Sequence, residues 1–378
     1  MRVCYFGTYD PAFARNALLL AGLRTAGVEV VECQAPLWRD TADKLAAARR
    51  PGGGLARRLS AAWRALIARH RQIGAYDVLV VGYAGHLDIH LARALTRRTG
   101  RPVVLDAFLA LTETVEDRGL AAPGTPRWRA ARLLDTLALR RATCVLVDTA
   151  AHARYLARAF GAPPERLAVV PMGAWPRPPL PLPPVESGSH GERRFEVVYV
   201  GGYIPLHGLA HVLDAAVLLR DWPAVRFTLV GDGQEYAAVA ARVAALGLAN
   251  VRLVRTWLPE DALVAHYVAP AHVGLGVFGA SPKAARVVPA KVLLALAAGR
   301  PVVTRDSPAA REQLGAHALL VPPAAPEPLA AALRRLHADA ALRERLAAAG
   351  PALVAARHSP ARLGTRLVEV LQPLVSAA

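Results

Sequence analysis

Two stretches of the chain combine cations, glycines and helix starts in the way an anion site needs. In Gly279 to Glu312, the apolar run His272 to Phe278, read as a strand, enters a polar loop. Arg286 and Lys291 stand at the start of the helix that follows, which Pro289 opens and Gly299 closes. Amide groups at a helix start attract anions, whereas a cation in the first turn is disfavoured by roughly 0.3–1 kcal/mol. A bound phosphate removes that penalty; an exposed lysine that tolerates it is the equal alternative. The second stretch, Gly201-Gly202-Tyr203-Ile204-Pro205-Leu206-His207-Gly208, follows the strand Val197 to Val200. Its glycine pair lets backbone amides approach a phosphate, and His207 could touch the same group. Glycine-rich turns between strand and helix also occur without any ligand, so both readings stay open.

These residues need repeated strand and helix units to place them. Val302 to Thr304 reads as a buried strand, and Asp306-Ser307-Pro308 as the cap of the next helix. At the other end of the chain, strand Arg2 to Phe6, helix Ala14 to Ala26 and strand Val28 to Cys33 open a Rossmann-like sheet. G-x-G-x-x-G is missing there, so no dinucleotide cofactor is indicated. Ligands bind beyond the carboxyl ends of parallel strands. That rule singles out His86 after strand Tyr76 to Val81, Asp106 after Pro102 to Leu105, and Trp257 after Val251 to Val254. Trp257 could lie on a nucleotide base or pack in a core. Asp232-Gly233, after Phe227 to Val230, reads as turn chemistry. A helix around Trp128 to Arg140 and strands Cys144 to Asp148 and Leu167 to Val170 complete the first half.

A chain of 378 residues, 54% hydrophobic, has room for two domains with separate cores. The expected division is an N-terminal domain 1–173, a proline-rich linker 174–194, a second domain 195–356 and a last helix in 357–378. Prolines 176, 178, 179, 181, 183 and 184 make the linker an extended, semi-rigid spacer. The net charge of +17 arises almost wholly from arginine, because the chain has three lysines. Phosphates of a sugar nucleotide, an anionic membrane surface and nucleic acid are the partners such a charge admits. Nucleic acid is disfavoured, since no basic patch is interleaved with aromatic residues. Arg49, Arg50, Arg57, Arg58, Arg64, Arg69 and Arg71 flank an apolar face of Leu59, Ala62, Trp63 and Leu66. Such a helix could lie on a membrane or pack on its own sheet with a solvated basic face. Cys4, Cys33 and Cys144 read as buried thiols in a reducing compartment. Neither a signal series nor a membrane-spanning run is apparent, so the expected location is cytoplasmic, with a peripheral position at the membrane as the alternative.

The Gly279 to Glu312 stretch resembles the donor-site region of retaining glycosyltransferases of family 4. The resemblance rests on Pro289-Ala290-Lys291, on Ala295-Leu296-Ala297-Ala298-Gly299-Arg300-Pro301-Val302-Val303-Thr304, and on Asp306-Ser307-Pro308-Ala309-Ala310-Arg311-Glu312. Ile204-Pro205-Leu206-His207-Gly208, the opening Gly7 to Asn16, and Val169-Val170-Pro171-Met172-Gly173 are similar to strings of the same branch, with Met172 in place of asparagine. The resemblance implies an α/β GT-B fold of two Rossmann-like domains with a cleft between them, the last helix crossing back to the first domain. It also implies a hexosyltransferase-like enzyme. Gly201, Gly202, His207, Arg286, Lys291 and Trp257 would bind the nucleotide-sugar donor. His86 and Asp106 would be catalytic, facing sugar and acceptor, and Asp10, Arg15, Asn16, Glu113, Asp117 and Arg118 would contact a glycan, lipid-linked or small-molecule acceptor. Retention of configuration is the family precedent. No cofactor is expected beyond the nucleotide-sugar substrate, and no metal, since no His, Cys or carboxylate cluster has ligand spacing. Two departures stand out: the ribose-binding glutamate of the family is Leu294 here, and its partner eight residues earlier is Arg286. A ribose facing Leu294 would lose a charge-assisted hydrogen bond typically worth ~1.5–3 kcal/mol. The alternative reading is therefore a catalytically silent GT-B protein that binds or activates a partner glycosyltransferase.

Overall fold

The computed structural model describes residues 1–37, 54–178, 180–185 and 195–377. Arg49, Arg50 and the later part of the expected linker lie outside the described residues. The chain forms two compact units, Met1–Pro171 with Pro360–Ala378, and Met172–Ser359.

In the first unit, β1 (Arg2–Gly7), α1 (Ala14–Thr25), β2 (Glu29–Gln34), α2 (Gly54–His70), β3 (Val78–Val81), α3 (Asp88–Leu95) and β4 (Val103–Asp106) come first. After them come α4 (Leu111–Asp117), α5 (Pro126–Arg141), β5 (Cys144–Val147), α6 (Ala150–Phe160) and β6 (Leu167–Val169). The sheet order is β2-β1-β3-β4-β5-β6, and every pairing is parallel. Helices cover both faces of such a sheet, which explains why β3, β4 and β5 are buried at every position while the edge strands β2 and β6 are not. The three cysteines are free, buried thiols in β1, β2 and β5.

The apolar face of α2 belongs to this unit. Ala62 and Leu66 are buried in its core, Trp63 packs against that core, and the Trp63 Nε1 donates to Asp88 at 2.9 Å. Of the two readings open for this helix, the structure shows packing on its own unit, with the described arginines on the solvated side. Among the described residues no helix is long and apolar enough to cross a membrane.

The second unit contains β7 (Phe195–Val200), α7 (Leu209–Leu218), β8 (Val225–Val230), α8 (Tyr236–Leu246), β9 (Val251–Val254), α9 (Glu260–Leu263) and β10 (Val273–Leu275). It continues with α10 (Ala290–Ala297), β11 (Val302–Arg305), α11 (Pro308–Leu314), β12 (Leu319–Val321), α12 (Pro326–Ala338) and α13 (Ala340–Leu353). Its parallel sheet has the order β12-β11-β10-β7-β8-β9. Ser307 caps α11 as its sequence predicts, the hydroxyl accepting from Ala310 N at 3.0 Å. The strand at His272 to Phe278 is shorter than expected, since only Val273–Leu275 pair, and Pro289 is the cap residue of α10, one position before its first turn.

The described part of the proline-rich stretch is tied to the second unit. Arg177 pairs with Glu260 at 2.8 Å, His272 Nε2 lies 3.3 Å from the Pro184 carbonyl, and the buried Arg300 donates to the carbonyls of Leu180 and Pro181 at 3.0 and 2.8 Å. An extended proline segment has carbonyls without internal partners, and a buried guanidinium can supply them.

The last helix, α14 (Pro360–Ser376), packs on α1 within the first unit. Their contact is backbone against backbone: a Cβ added at Gly364 would sit 1.9 Å from the Gly22 carbonyl oxygen. Gly364→Ala forces the two helices apart, and overpacking of this kind typically destabilises by about 1–3 kcal/mol. The expected outcome is a lower thermal midpoint; an unchanged midpoint would show that the helices part freely.

Candidate functional site

Chemistry-bearing residues of the second unit gather at the carboxyl ends of β7, β8 and β9. Two backbone contacts bring the loops together. A Cβ at Gly231 (φ +139°) would lie 1.9 Å from the Gly201 carbonyl oxygen, and one at Gly208 (φ +64°) would lie 2.5 Å from Gly279 N. Only residues without a side chain fit these approaches and dihedrals. The loops after β7 and β8, and the one after β10, are held in register by them.

Lys291, in the first turn of α10, is buried. Its Nζ lies 3.8 Å from the centroid of the Tyr199 ring and has no hydrogen-bond partner. A Cβ at Gly201 would come within 2.9 Å of that nitrogen, so lysine, ring and glycine line one spot. Burial pushes the Lys291 ammonium well below its usual pKa of 10.5. Tyr199 holds the opposite wall: its hydroxyl lies 2.6 Å from the Gly202 carbonyl oxygen and 2.7 Å from His207 Nδ1. His207 Nδ1 also faces the Gly202 carbonyl. The expected donor residues Gly201, Gly202, His207 and Lys291 therefore surround Tyr199.

Trp257 is 59% exposed rather than part of a core, and its ring reaches within 4.0 Å of where a Gly202 Cβ would be. Arg286 is half-buried in a turn, donating from its backbone to the Lys283 carbonyl at 2.9 Å. Arg305 carries a role that sequence patterns did not indicate. It lies at the end of the buried strand β11, and its guanidinium donates to the carbonyls of Gly279 and Ser281. Leu294 points into an apolar cluster with Val198, Val200, Val230, Val264 and Val268. Where the family precedent has a carboxylate, this chain has core packing.

In the first unit the residues expected to meet the sugar and the acceptor divide into two sets. Arg15 and Asn16 differ from the expectation of acceptor contact, because both are sealed inside the unit. Arg15 pairs with Asp106 at 3.0 Å and donates to the carbonyls of Val170 and Pro171 at 2.7 and 2.8 Å. Asn16 accepts from the Tyr5 hydroxyl and Tyr83 N, both at 3.0 Å. Both side chains fix the loops at the end of the sheet. Asp106, expected as catalytic, is fully buried in the Arg15 pair, and burial raises its pKa against the opposing pull of Arg15. Asp10 is an exposed turn residue whose Oδ1 accepts from Ala12 N at 2.9 Å.

The second set is less committed. His86 is buried with Nε2 3.4 Å from Asp135, and its Nδ1 has no hydrogen-bond partner. Burial lowers its pKa, with Asp135 opposing. Asp135, missed in the sequence, also accepts from the backbone of Leu111 and Thr112 at 2.9 and 2.8 Å, so it anchors α4 and His86 together. Glu113 faces His152 at 3.5 Å, and His152 meets Asp148 at 3.1 Å. Neither carboxylate oxygen of the half-buried Asp117 has a hydrogen-bond partner. Arg118 is half-buried near Tyr83, whose pKa is pushed up to about 12, chiefly by burial. Among the described residues no group of three or more His, Cys, Asp or Glu is arranged to hold a metal ion.

Residues 194–339 match the family model described as glycosyl transferases group 1, and residues 4–173 match the glycosyl transferase 4-like domain. An alpha-D-kanosaminyltransferase of Streptomyces kanamyceticus is 26% identical over 181 residues, 47% of this chain and 45% of that protein. The chain is thus aligned with less than half the length of that curated relative. Sucrose-phosphate synthase of Thermosynechococcus elongatus superposes with a TM-score of 0.75 at 17% identity, covering 100% of both chains. HepE of Anabaena, solved with UDP-glucose, superposes with a TM-score of 0.68 at 17% identity over 99% of this chain and 100% of that one.

The buried ammonium sets a pH dependence for stability. Its folded pKa lies below 10.5, so between the two values the unfolded chain binds more proton, and stability from this group rises with pH and falls as pH drops. Lys291→Met removes an unbonded buried cation, and the unliganded variant is expected to be more stable at pH 7 by on the order of 1–3 kcal/mol. Thermal unfolding at pH 7 and pH 9 measures both the gain and the lost slope.

Proposed function

The chain carries the two domains of a GT-B glycosyltransferase, and we propose that it transfers a sugar from a nucleotide-sugar donor to a glycan, lipid-linked or small-molecule acceptor. The observation that carries this reading is the Lys291 ammonium, buried without an oxygen partner beside Gly201 and at the start of α10. A dianionic diphosphate supplies what that site lacks: it pairs with the ammonium, accepts from backbone amides at the helix start, and offsets the penalty for a cation in the first turn. Uridine diphosphate is the nucleotide proposed, because it is bound in the similarly folded HepE structures.

Transfer requires the bond from the sugar's anomeric carbon to the diphosphate to break. Charge then develops on the leaving phosphate oxygen, where preorganised cations and amides act most strongly. Lys291 would stabilise that charge, His207 and Arg286 would flank the diphosphate, and Trp257 would lie along the nucleotide. A nearby dianion favours the charged form of Lys291 that burial disfavours. His86, with its free Nδ1, is the candidate for sugar contact, Asp106 acts through Arg15 as a positioning residue, and Glu113, Asp117 and Arg118 are the acceptor-side candidates. The reaction is proposed to retain anomeric configuration and to need no metal, so transfer should persist in EDTA.

Calorimetric titration of UDP, GDP, ADP and TDP into wild type and Lys291→Met tests the reading. Selective UDP binding is expected, weakened at least about tenfold in the variant by loss of a charge-assisted contact. Binding of none of the four nucleotides would favour the silent partner protein, with Leu294 and Arg286 as the reason.

A further inference from the structure

A second basic site lies on the other edge of the first unit's sheet. Arg93 on α3, Arg140 and Arg141 at the end of α5, and Arg166 just before β6 line a cavity of about 550 Å³, with Leu137 and Thr143 completing its wall. Residues immediately before β5 and β6, and the ends of helices that run back from strands, share the amino-terminal edge of a parallel sheet. His86 and Asp106 follow β3 and form the end of β4, on the carboxyl edge. The cavity is therefore separate from the sugar-side candidates of this unit.

The charge balance singles the cavity out. Arg15, Arg300 and Arg305 spend their donors on carboxylates or carbonyls. The four cavity arginines are exposed, and among the described residues none forms an ion pair or a side-chain hydrogen bond. Ends of α3 and α5 face the same place, and each helix C-terminus amounts to about half a negative charge. Four guanidiniums outweigh two such termini by about three charges, so the helix dipoles explain the arginines only in part. His90, one turn before Arg93, feels the excess: burial lowers its pKa, and Arg141 lowers it further. A volume of this size lies in the usual range for small-ligand sites, and guanidinium forks match phosphate oxygens two at a time.

We propose that this cavity binds a compact polyanion carrying two or more phosphate groups. Such groups occur both in free oligophosphates and, at a surface, in anionic lipid headgroups, and the experiment separates the two. Sodium tripolyphosphate is titrated calorimetrically, at constant ionic strength, into full-length Lys291→Met, in which the donor site is disabled. The same titration is run after adding Arg93→Gln, Arg141→Gln and Arg166→Gln, or instead Arg252→Gln, Arg335→Gln and Arg345→Gln, which remove the same charge from exposed positions of the other unit. A parallel arm sediments each protein with phosphatidylcholine vesicles containing cardiolipin, whose headgroup carries two phosphates.

The expected result is one tripolyphosphate per chain, weakened at least about tenfold by the cavity substitutions and less than about twofold by the control set. Loss of vesicle binding confined to the cavity variant, with no tripolyphosphate heat, would assign the same site to a lipid headgroup. Equal weakening by both sets, or no binding in either arm, overturns the proposal. Because the arginines are exposed, circular dichroism and the thermal midpoint of the variants should match the parent, and these report on the cavity independently of whether any nucleotide binds at Lys291.

Discussion

The second unit is arranged around an ammonium group that its own protein leaves unbonded. Taking Lys291 out of water disfavours the charged form, and the Tyr199 ring, 3.8 Å away, returns only part of that loss. A lysine in this position is tolerated because the backbone around it is fixed by other means, and the proposed diphosphate would turn its cost into a gain.

Glycines fix the frame. Gly231 against Gly201, and Gly208 against Gly279, allow loops from separate strands to meet backbone to backbone. Arg305 completes the arrangement by donating to the carbonyls of Gly279 and Ser281 from the end of β11. Tyr199 then links the ring beneath Lys291 to the Gly202 carbonyl and to His207, so the lysine, the glycine turn and the histidine are positioned by one side chain.

The first unit handles charge differently. Its carboxylates Asp106, Asp135 and Asp148 are nearly fully buried at the same end of the sheet, each next to a cation or an imidazole: Arg15 for Asp106, His86 for Asp135 and His152 for Asp148. Burying one such ion alone is strongly unfavourable, and a close partner with further hydrogen bonds makes it tolerable. Arg15 meets that condition by using its remaining donors on Val170 and Pro171. The result is a rigid floor beneath His86 and α4, whose Asp117 keeps both carboxylate oxygens uncommitted.

What the sequence by itself determined was the repetition of strand and helix, and with it two parallel sheets. Runs such as Val78 to Val81 are apolar at every position, and Val302 to Thr304 is β-branched throughout, because both faces of the sheet are covered, so they are readable without coordinates. Capping at Ser307 and the glycine turns at Gly201 and Gly208 were legible for a similar reason, being local chemistry. Partners distant in sequence were decided only by the tertiary structure. Tyr199 beneath Lys291, Asp135 beside His86, and Arg15 paired with Asp106 across 91 positions follow from which strands lie side by side. Burial is likewise a property of the assembled sheet: Arg15, expected to face an acceptor, is internal, and of the two readings open for each tryptophan, Trp63 packs on its own unit's core while Trp257 is exposed. Residue type fixes what a side chain can do, but packing fixes whether its charge faces water, a carboxylate or, as at Lys291, an aromatic ring.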